Sequence, residues 1–430
     1  MFIFKKIIAT ILQWEARLVL RRYRPHIIAV TGSVGKTTTK DAIYAALATR
    51  VHVRKSEKSL NSDIGVPLAI LGLENAWRNV FGWIFNIVRG LLLAFDGSKY
   101  PDWLVLEVGA DRPGDIRSIA RWLKPEIAVI TGVPDIPVHV EYFNSPGDVV
   151  REKRALAEYL RPGGSVVVNG DDVRMLRIAA DFKERAVTYG LEGTNMYAAS
   201  HMDIITDGGK PIGMQFDPMC DHTSRTVQTH GALGAPRVYA ALAAIAVGKI
   251  VGVDIDSAVA ALEKWAPPQG RMRLIEGLRG TIILDDTYNS SPTAALSALD
   301  TLKDIKTKKR KIAVLGDMME LGKYSAEAHK QLGVRAAAVA DQLITVGFRA
   351  RQAAQAALDA GMQDSAIRQY EQFESARAGK ELESELQKGD IVLVKGSQSM
   401  RMERTVEEIM ADPIHATELL VRQDQEWKDR

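Results

Sequence analysis

Hydrophobic and polar positions follow a strand–turn–helix order from residue 26 onward. "HIIAV" at 26–30 is a short apolar run, and "KTTTKDAIYAALA" at 36–48 has the spacing of a helix. Further predicted strands cover 103–110, 127–133 and 164–172. Because strands alternate with helical stretches, the sequence predicts a mainly parallel sheet that is covered on both faces.

The second half of the chain departs from this order and then returns to it. Residues 190–232 contain short alternating runs with many Gly, Asp and Thr, typical of antiparallel strands. "KWAPPQGRMR" at 264–273 is a predicted linker, because Pro267, Pro268 and Gly270 stop the preceding helix. The runs "TIILDD", "KIAVLGD", "QLITVG" and "DIVLVKG" then predict a second, Rossmann-like α/β series.

These patterns divide the chain into three predicted parts of an α/β protein. Residues 1–25 form an amphipathic helix, 26–266 a central domain with a mainly parallel sheet, and 267–430 a C-terminal α/β domain.

The apolar face of the N-terminal segment, 1–24, is interrupted by Glu15. The residues on that face are Phe4, Ile7, Ile8, Ile11, Leu18 and Val19. The segment is too short and too polar to span a bilayer. Two interpretations stay open, a helix packed on the protein's own surface and a helix that lies in a membrane interface.

A second apolar segment, "WRNVFGWIFNIVRGLLLAF" at 77–95, is broken by Arg78, Asn86 and Arg89. It is either a buried helix pair or a patch that works with segment 1–24 at a membrane or partner surface. The second interpretation would place the protein at the inner face of the membrane.

Composition narrows the class of protein. The 430 residues are 46% hydrophobic and 25% charged, as in ordinary soluble globular proteins. The 56 basic and 53 acidic residues nearly balance, which argues against a nucleic-acid binder. The single cysteine, Cys220, excludes an internal disulfide and fits a cytoplasmic location. We expect a monomer that acts on small molecules.

"VTGSVGKTTTKDAIYAAL" at 30–47 predicts a phosphate-binding loop between a strand and a helix. Gly32 and Gly35 let the backbone wrap an anion, and the helix N-terminus directs N–H groups at it. Lys36 can neutralise the β- and γ-phosphates of ATP, and the Thr37 hydroxyl can ligate Mg²⁺. The remaining predicted ATP contacts in this loop are Ser33, Val34 and Thr38.

The loop has the form T-G-x-x-G-K-T and resembles that of the Mur ligases, the ATP-dependent amide-forming enzymes of peptidoglycan synthesis. The resemblance continues through "LNSDIGVPLAIL", "LEVGADRPGDI", "VITGVPDIPVHVEYF", "REKRAL", "LDDTYNSSP", "LGDMMELG" and "VLVKGSQSMRME". The later motifs are most similar to the branch that adds D-alanyl-D-alanine to UDP-N-acetylmuramoyl-tripeptide. The resemblance implies a ligase that works through an acyl phosphate.

The resemblance also implies a metal site. Thr37, Glu107, His139 and Lys153 match the family's positions, with Lys153 carbamoylated by CO₂. The alternative interpretation of His139 is a structural histidine. The alternative interpretation of Lys153 is a solvated lysine in the charge run "REKR". Mg²⁺ is expected, although Mn²⁺ fits the same oxygen ligands.

Nucleotide and substrate contacts are implied by the same motifs. Asn61, Arg271, Asp286 and Asn289 match ATP-binding positions, and Asp317, His329, Lys395 and Ser397 match positions near the incoming substrate. A structural capping role for Asp317 or His329 stays open.

Two departures from the family pattern affect the functional hypothesis. In "GAPRVYA", Pro236 and Ala240 replace a histidine and an adenine-contacting asparagine, so base recognition is expected to differ. About 25 residues stand where this branch carries a UDP-sugar-binding domain, so that domain is expected to be missing. A Mur-type ligase with another acceptor (a poly-amino acid or a lipid-linked precursor) and an ATP-binding partner protein without ligase activity are therefore alternatives.

Overall fold

The computed structural model describes residues 2–57, 60–77, 79–96, 99–220 and 225–428. The strands are β1 His26–Thr31, β2 Val53–Lys55, β3 Trp103–Glu107, β4 Ile127–Ile130, β5 Ser165–Asn169, β6 Ala186–Tyr189, β7 Ala198–Asp207, β8 Lys210–Met219, β9 Val227–His230, β10 Arg273–Glu276, β11 Ile282–Asp286, β12 Lys311–Gly316, β13 Gln342–Val346, β14 Ile367–Tyr370 and β15 Ile391–Lys395. The helices are α1 Phe2–Tyr23, α2 Lys36–Leu47, α3 Gly65–Leu71, α4 Val80–Phe95, α5 Asp115–Leu123, α6 Pro146–Glu158, α7 Val173–Ala180, α8 Ala235–Val251, α9 Ile255–Glu263, α10 Pro292–Asp304, α11 Ser325–Ala337, α12 Arg351–Asp359, α13 Ser375–Glu385, α14 Glu403–Ile409, α15 Ala416–Leu419 and α16 Gln425–Lys428.

The first sheet has the strand order β2-β3-β1-β4-β5-β6, and all its neighbours are parallel. Strand β1 shows why it is covered on both faces. Ile28 and Val30 pack into the core that contains α2 and α8, whereas Ile27 and Ala29 pack into the core on the other side. Successive side chains of a strand point to opposite faces, so an uninterrupted apolar run requires two cores. The predicted parallel sheet is confirmed.

The second sheet has the order β10-β11-β15-β12-β13-β14, parallel except for the antiparallel pair β10–β11. A third sheet, β7-β8-β9, is antiparallel, as predicted for 190–232. The α/β class is confirmed, while the boundaries 1–25, 26–266 and 267–430 stay predictions. The sheet order brings the carboxyl ends of β1 and β3, and of β11 and β15, next to each other.

Helix α1 packs against α3 and α4 and buries Ile8, Leu12, Ala16 and Val19. Ile7, placed on the apolar face by the sequence pattern, is exposed, and the side chain of Phe4 lies outside the described part. The interpretation of 77–95 as a buried helix pair is wrong, because the described residues form one helix, α4, whose largest apolar side chains are exposed. Among the described residues, no helix is long and apolar enough to cross a membrane.

Glu15 is buried where α1 meets α4, and its Oε2 has no hydrogen-bond partner. A Cβ atom at position 90 would collide with this carboxyl group, so Gly90 permits the close approach of the two helices. Burial raises the pKa of Glu15 to about 7. Since the folded state prefers the protonated carboxyl, ionisation of Glu15 destabilises the fold as the pH rises through about 7.

We expect Glu15→Gln to stabilise the protein above pH 7, because a neutral amide replaces a buried carboxylate. The melting temperature at pH 8 should rise by roughly 2–4 °C, and the difference should shrink at pH 5, where Glu15 is protonated. Thermal unfolding followed by circular dichroism measures both values. Glu74→Gln, which changes an exposed carboxyl, is the control. An equal or lower melting temperature for Glu15→Gln at pH 8 would contradict the expectation.

Candidate active site

At two positions of the loop between β1 and α2, the backbone has a conformation that only glycine adopts easily. Gly32 has φ 144° and a Cβ there would overlap Thr131, while Gly35 has φ 81° and precedes the first turn of α2. The backbone N–H of Ser33 donates to the carbonyl of Gly132 at 2.9 Å, which ties the loop to the end of β4. Lys36 begins α2, so its side chain lies beside the N–H groups of the helix N-terminus.

Glu107 ends β3 and lies beside this loop. The Thr37 hydroxyl donates to Glu107 Oε2 at 2.8 Å, and the Asn61 amide donates to Oε1 at 3.0 Å. Ser56 holds the strand end in place, because its hydroxyl accepts from the Glu107 backbone N–H at 3.0 Å. The structure thus brings together Thr37, Asn61 and Glu107 from three separate motifs.

The charges of this group are coupled. Burial lowers the pKa of Lys36, although the Glu107 carboxylate opposes that shift. For Glu107, burial favours the neutral form, but the charges of Lys36 and Lys40 and the hydrogen bonds from Asn61 and Thr37 outweigh it and lower the pKa. Glu107 is therefore an ionised, buried carboxylate next to the loop, as a cation site requires.

Asp111 connects Lys36 with two further predicted ligands. Its carboxylate favours the charged forms of both Lys36 and Lys153, and its Oδ1 lies 3.7 Å from His139 Nε2. Lys153 is buried on α6, and burial together with the charge of Lys36 lowers its pKa to about 7. The solvated-lysine interpretation of Lys153 is therefore wrong.

His139 also contacts the second half of the chain. Its Nδ1 lies 2.5 Å from Glu320 Oε2, and the imidazole lowers the pKa of that carboxyl. Both residues have positive φ, 64° for His139 and 63° for Glu320, so two strained turns meet at this contact. The contact joins the predicted central and C-terminal parts at the edge of the site.

Residues just before β10 and at the ends of β11 and β15 complete the other wall. The Arg271 guanidinium stacks on the Tyr288 ring, 4.0 Å from the centroid. Lys395 Nζ lies 2.6 Å from Asp286 Oδ2 and donates to the Asn289 carbonyl at 2.9 Å. Lys395 is buried in this ion pair, so it orients Asp286 and Asn289.

A cleft of about 300 Å³ lies between the two walls. Of the predicted site residues, it is lined by Ser33, Val34, Gly35, Lys36, Thr38, Asn61, Glu107, His139, Arg271, Asp286, Asn289 and Lys395. The structure therefore gathers most predicted nucleotide positions of both halves of the chain, and the predicted metal ligands Glu107 and His139, around one cavity. Gly32, Thr37 and Lys153 are not part of its lining.

Three predicted substrate residues lie together beside the cleft rather than in its wall. Asp317 Oδ1 accepts from the Ala350 N–H at 2.7 Å, and Ser397 Oγ accepts from the Met319 N–H at 2.8 Å. His329 is buried, with Nε2 accepting from the Met318 N–H at 3.0 Å and Nδ1 2.7 Å from the Ser325 carbonyl. Both ring nitrogens of His329 are thus used internally, which matches its structural alternative and leaves no free nitrogen for a substrate.

The two departures on α8 have different surroundings. Ala240 is buried in the core, whereas Pro236 lines the cleft together with Arg237. The Arg237 guanidinium stacks 3.3 Å from the centroid of the Trp265 ring and donates to the Trp265 carbonyl at 2.5 Å. This end of the cleft is therefore formed by a fixed arginine and small side chains, and the expected difference in base recognition stays a prediction.

The donor set at Glu107 fits a hard divalent cation. Thr37 offers a hydroxyl, Glu107 a carboxylate and Asn61 an amide beside the predicted phosphate-binding loop, and such oxygens suit Mg²⁺. Among the described residues, no group of three or more His, Cys, Asp or Glu side chains could hold a metal by itself. A cation here would depend on Thr37 and on the phosphates of a bound nucleotide as well.

Comparison with known families shows to which family this chain belongs. Residues 30–248 match the sequence profile of the Mur ligase middle domain, and residues 270–398 match that of the Mur ligase, glutamate ligase domain. This chain belongs to the Mur ligase family. The cleft described above lies between the two matched regions.

Individual Mur ligases agree with this assignment. UDP-N-acetylmuramoyl-tripeptide–D-alanyl-D-alanine ligase of Bacillus subtilis is 29% identical over 410 residues, which cover 94% of this chain and 80% of that enzyme. The crystal structure of MurF ligase from Thermotoga maritima in complex with ADP superimposes with a TM-score of 0.76 at 26% identity, over 93% of this chain and 83% of that one. A pseudomurein peptide ligase type C from Methanothermus fervidus shares the fold, with a TM-score of 0.64 at 19% identity over 90% of this chain and 79% of that one.

Sequence reasoning missed several residues of this Mur ligase site. Asp111 lies in the motif "LEVGADRPGDI" and Glu320 in "LGDMMELG". Their carboxylates, close in sequence to predicted site residues, were the only sequence feature that could have indicated them. Tyr288, which stacks on Arg271, lies inside the motif "LDDTYNSSP" between Asp286 and Asn289. Glu152 caps α5 by accepting from the N–H groups of Gly114 and Ile116 at 2.8 and 2.7 Å, and no local pattern indicates that contact.

Proposed function

We propose that this chain is an ATP-dependent, ADP-forming ligase that joins D-alanyl-D-alanine to UDP-N-acetylmuramoyl-tripeptide in peptidoglycan precursor synthesis. The single observation that carries the proposal is the cleft, where Lys36 and Glu107 of one half face Arg271, Asp286 and Lys395 of the other. The Bacillus subtilis relative supplies the substrate class, since it is similar over 94% of this chain and is a UDP-N-acetylmuramoyl-tripeptide–D-alanyl-D-alanine ligase.

The reaction proceeds in two balanced steps. The carboxylate of the tripeptide attacks the γ-phosphorus of ATP, so that ADP leaves and an acyl phosphate forms. The amine of the dipeptide then attacks the acyl carbon, phosphate leaves, and the nitrogen loses a proton. The first step replaces a poor leaving group with a good one, which is why amide formation consumes ATP.

The residues of the cleft act on charge and position. Lys36 and the N–H groups at the start of α2 neutralise negative charge that grows on the transferred phosphoryl group. Arg271 adds a second cation from the opposite wall, held in place by stacking on Tyr288. Asp286, fixed by Lys395 and by the Met272 N–H at 3.2 Å, orients the nucleotide. Catalysis by these groups is mainly electrostatic and positional.

Thr37 and Glu107 would hold Mg²⁺, with His139 and a carbamate on Lys153 as ligands of a second ion. Bound Mg²⁺ supplies charge neutralisation at the phosphates. Lys153 is suited to carbamate formation because its lowered pKa leaves much of the amine neutral near pH 7. Its nitrogen attacks the carbon of CO₂, a proton leaves, and the side chain becomes an anion.

The contact between His139 and Glu320 supports a role for domain closure. Both residues lie on loops at the edge of the cleft, one on each side, and they touch in this arrangement. Contact across the cleft limits access of water to an acyl phosphate, which water would otherwise hydrolyse. A monomer suffices for this chemistry, because both walls come from one chain. The membrane contact expected for 1–24 and 77–95 stays a proposal supported by the surface of α1 and α4.

Phosphate release from ATP by the purified full chain tests the proposed function. We expect turnover that requires both D-alanyl-D-alanine and UDP-N-acetylmuramoyl-tripeptide, with the dipeptide-free reaction as the control. Turnover only with a lipid-linked tripeptide or another acceptor would keep the ligase chemistry and reject the substrate. ATP binding without turnover for any pair would reject the enzyme and favour an ATP-binding partner protein.

A further inference from the structure

Helix α4 exposes a more apolar face than the one it buries. Its buried residues are Trp83, Asn86, Gly90 and Ala94. Its exposed apolar residues are Val80, Phe81, Ile84, Phe85, Val88, Leu91, Leu92 and Phe95, and Phe81 and Phe95 are 83% and 73% exposed. They recur at intervals of three or four and so form one continuous stripe. A contiguous apolar face of this kind on a soluble domain marks an interaction surface.

Helix α1 lies beside α4 and exposes a different kind of face. Lys6, Thr10, Trp14, Arg17 and Arg21 are exposed and recur at intervals of three or four, so they share one side of the helix. Ile7 and Trp14 add apolar area, each more than half exposed. We call these exposed faces of α1 and α4 together the α1–α4 surface.

The charge of the α1–α4 surface is one-sided. Helix α1 carries five basic residues, Lys5, Lys6, Arg17, Arg21 and Arg22, against one carboxyl, Glu15, which is buried. Helix α4 carries Arg89, whose guanidinium lies 5.6 Å from the Phe85 ring centroid, and no acidic residue. The whole chain, by contrast, has 56 basic and 53 acidic residues. The exposed carboxylates nearest along the chain, Glu74 and Asp96, lie beyond the ends of α4.

We propose that the α1–α4 surface binds the interface of a lipid bilayer that contains anionic lipids. The apolar stripe of α4 would enter the boundary between headgroups and acyl chains, and the basic side chains of α1 would contact the anionic headgroups. Trp14 and the exposed phenylalanines have the aromatic character that favours this boundary. Stable peripheral binding needs both an apolar and a basic element, and the surface supplies both.

The same charges disfavour a second copy of the chain as the occupant. A two-fold interface places each surface against itself, so the basic side chains of α1 would face like charges across it. An anionic bilayer pairs with those charges instead. The proposal does not depend on ligase activity, because binding to lipid involves none of the cleft residues.

Vesicle sedimentation with the full chain tests the proposal. We expect at least tenfold stronger binding to phosphatidylcholine vesicles that contain phosphatidylglycerol than to phosphatidylcholine alone, and weaker binding as salt is added. The double variant Phe85→Glu, Leu92→Glu should reduce binding at least tenfold. Phe373→Glu, which changes an 83% exposed phenylalanine far along the chain, should change binding less than twofold.

A charge test is independent of the apolar one and changes only exposed side chains. Lys6→Glu with Arg17→Glu should also reduce binding more than tenfold, whereas Lys380→Glu with Lys388→Glu should change it less than twofold. Absence of binding to anionic vesicles would overturn the proposal, as would binding that neither pair of variants weakens. Sedimentation equilibrium that shows a dimer dissolved by the Phe85 and Leu92 changes, without vesicle binding, would replace lipid by a second copy as the occupant.

Discussion

Replacing Lys36 by alanine is expected to reduce amide formation more than about 10³-fold. Lys36 begins α2 and lines the cleft beside the N–H groups of the loop. In a phosphate-binding loop of this form, the lysine reaches the β- and γ-phosphates. Removal of a preorganised charge that stabilises the transition state costs about 10²–10³-fold, and Lys36 is proposed to bind ATP as well, so we expect the combined loss to be larger.

The change also affects Glu107, whose pKa is lowered by the charge of Lys36. Without that charge the carboxylate of Glu107 is less stable, and its pKa should rise toward or above its usual range. Lys40 is buried nearby and also lowers the pKa of Glu107, so the variant retains part of the positive charge that stabilises the Glu107 carboxylate. We therefore expect Lys36→Ala to fold with a reduced melting temperature and to lose affinity for ATP.

Lys55→Ala is the matched control for this experiment. Lys55 ends β2 of the first sheet, and its Nζ pairs with Asp41 of α2 at 2.9 Å without lining the cleft. A partly exposed ion pair contributes at most about 1 kcal/mol, so this variant should keep most of its activity. Steady-state phosphate release and amide formation measure both variants. Amide formation by Lys36→Ala at the wild-type rate would reject the assignment of the loop.

The parts of the structure that sequence predicted share a local cause. Strand β1 is an apolar run and must be covered on both faces, and Gly32 and Gly35 stand where the backbone requires their φ angles. Such requirements act within a few residues, so the sequence alone reveals them. The parallel sheet, the phosphate loop and the second α/β series followed from patterns of this kind.

Contacts between distant segments were not predictable in this way. His139 meets Glu320 only because two loops of different halves approach each other. The apolar residues of α4 predict a helix but do not tell which face is covered, because that depends on α1 and α3. His329 matches a substrate position by motif, yet the turn at Met318 uses its Nε2.

In the charge run "REKR", the sequence likewise does not tell which of four neighbouring charged residues are buried. Arg151 and Arg154 are on the outer side of α6, whereas Glu152 and Lys153 are buried. Glu152 caps α5 and Lys153 lies near Lys36, so packing against other elements decides which charges are solvated. A lysine kept from water among other charges needs a reason, and the proposed carbamate would supply one.

Lys153→Ala is expected to lose at least about 10²-fold in activity and to regain part of it with short carboxylic acids such as formate or acetate. The substitution would remove the anion that the proposed carbamate supplies and would leave space beside Lys36 for a small carboxylate, which carries the same charge. Arg154→Ala, which removes the exposed neighbour paired with Glu158, should retain most of the activity. Lys153→Arg should be inactive without rescue, because it keeps a cation and fills the space.

Isotope labelling reports the carbamate without reference to turnover. Wild-type protein in ¹³C-bicarbonate should show a carbamate carbon signal in the NMR spectrum, and Lys153→Ala should lack it. The neutral amine is the form that attacks CO₂, and the lowered pKa of Lys153 is about 7. Labelling should therefore fall as the pH drops below about 7, where the amine is protonated. A correctly folded Lys153→Ala that no carboxylate rescues, together with unlabelled wild-type protein at pH 8, would reject the carbamate and leave Lys153 as a buried amine beside the phosphate site.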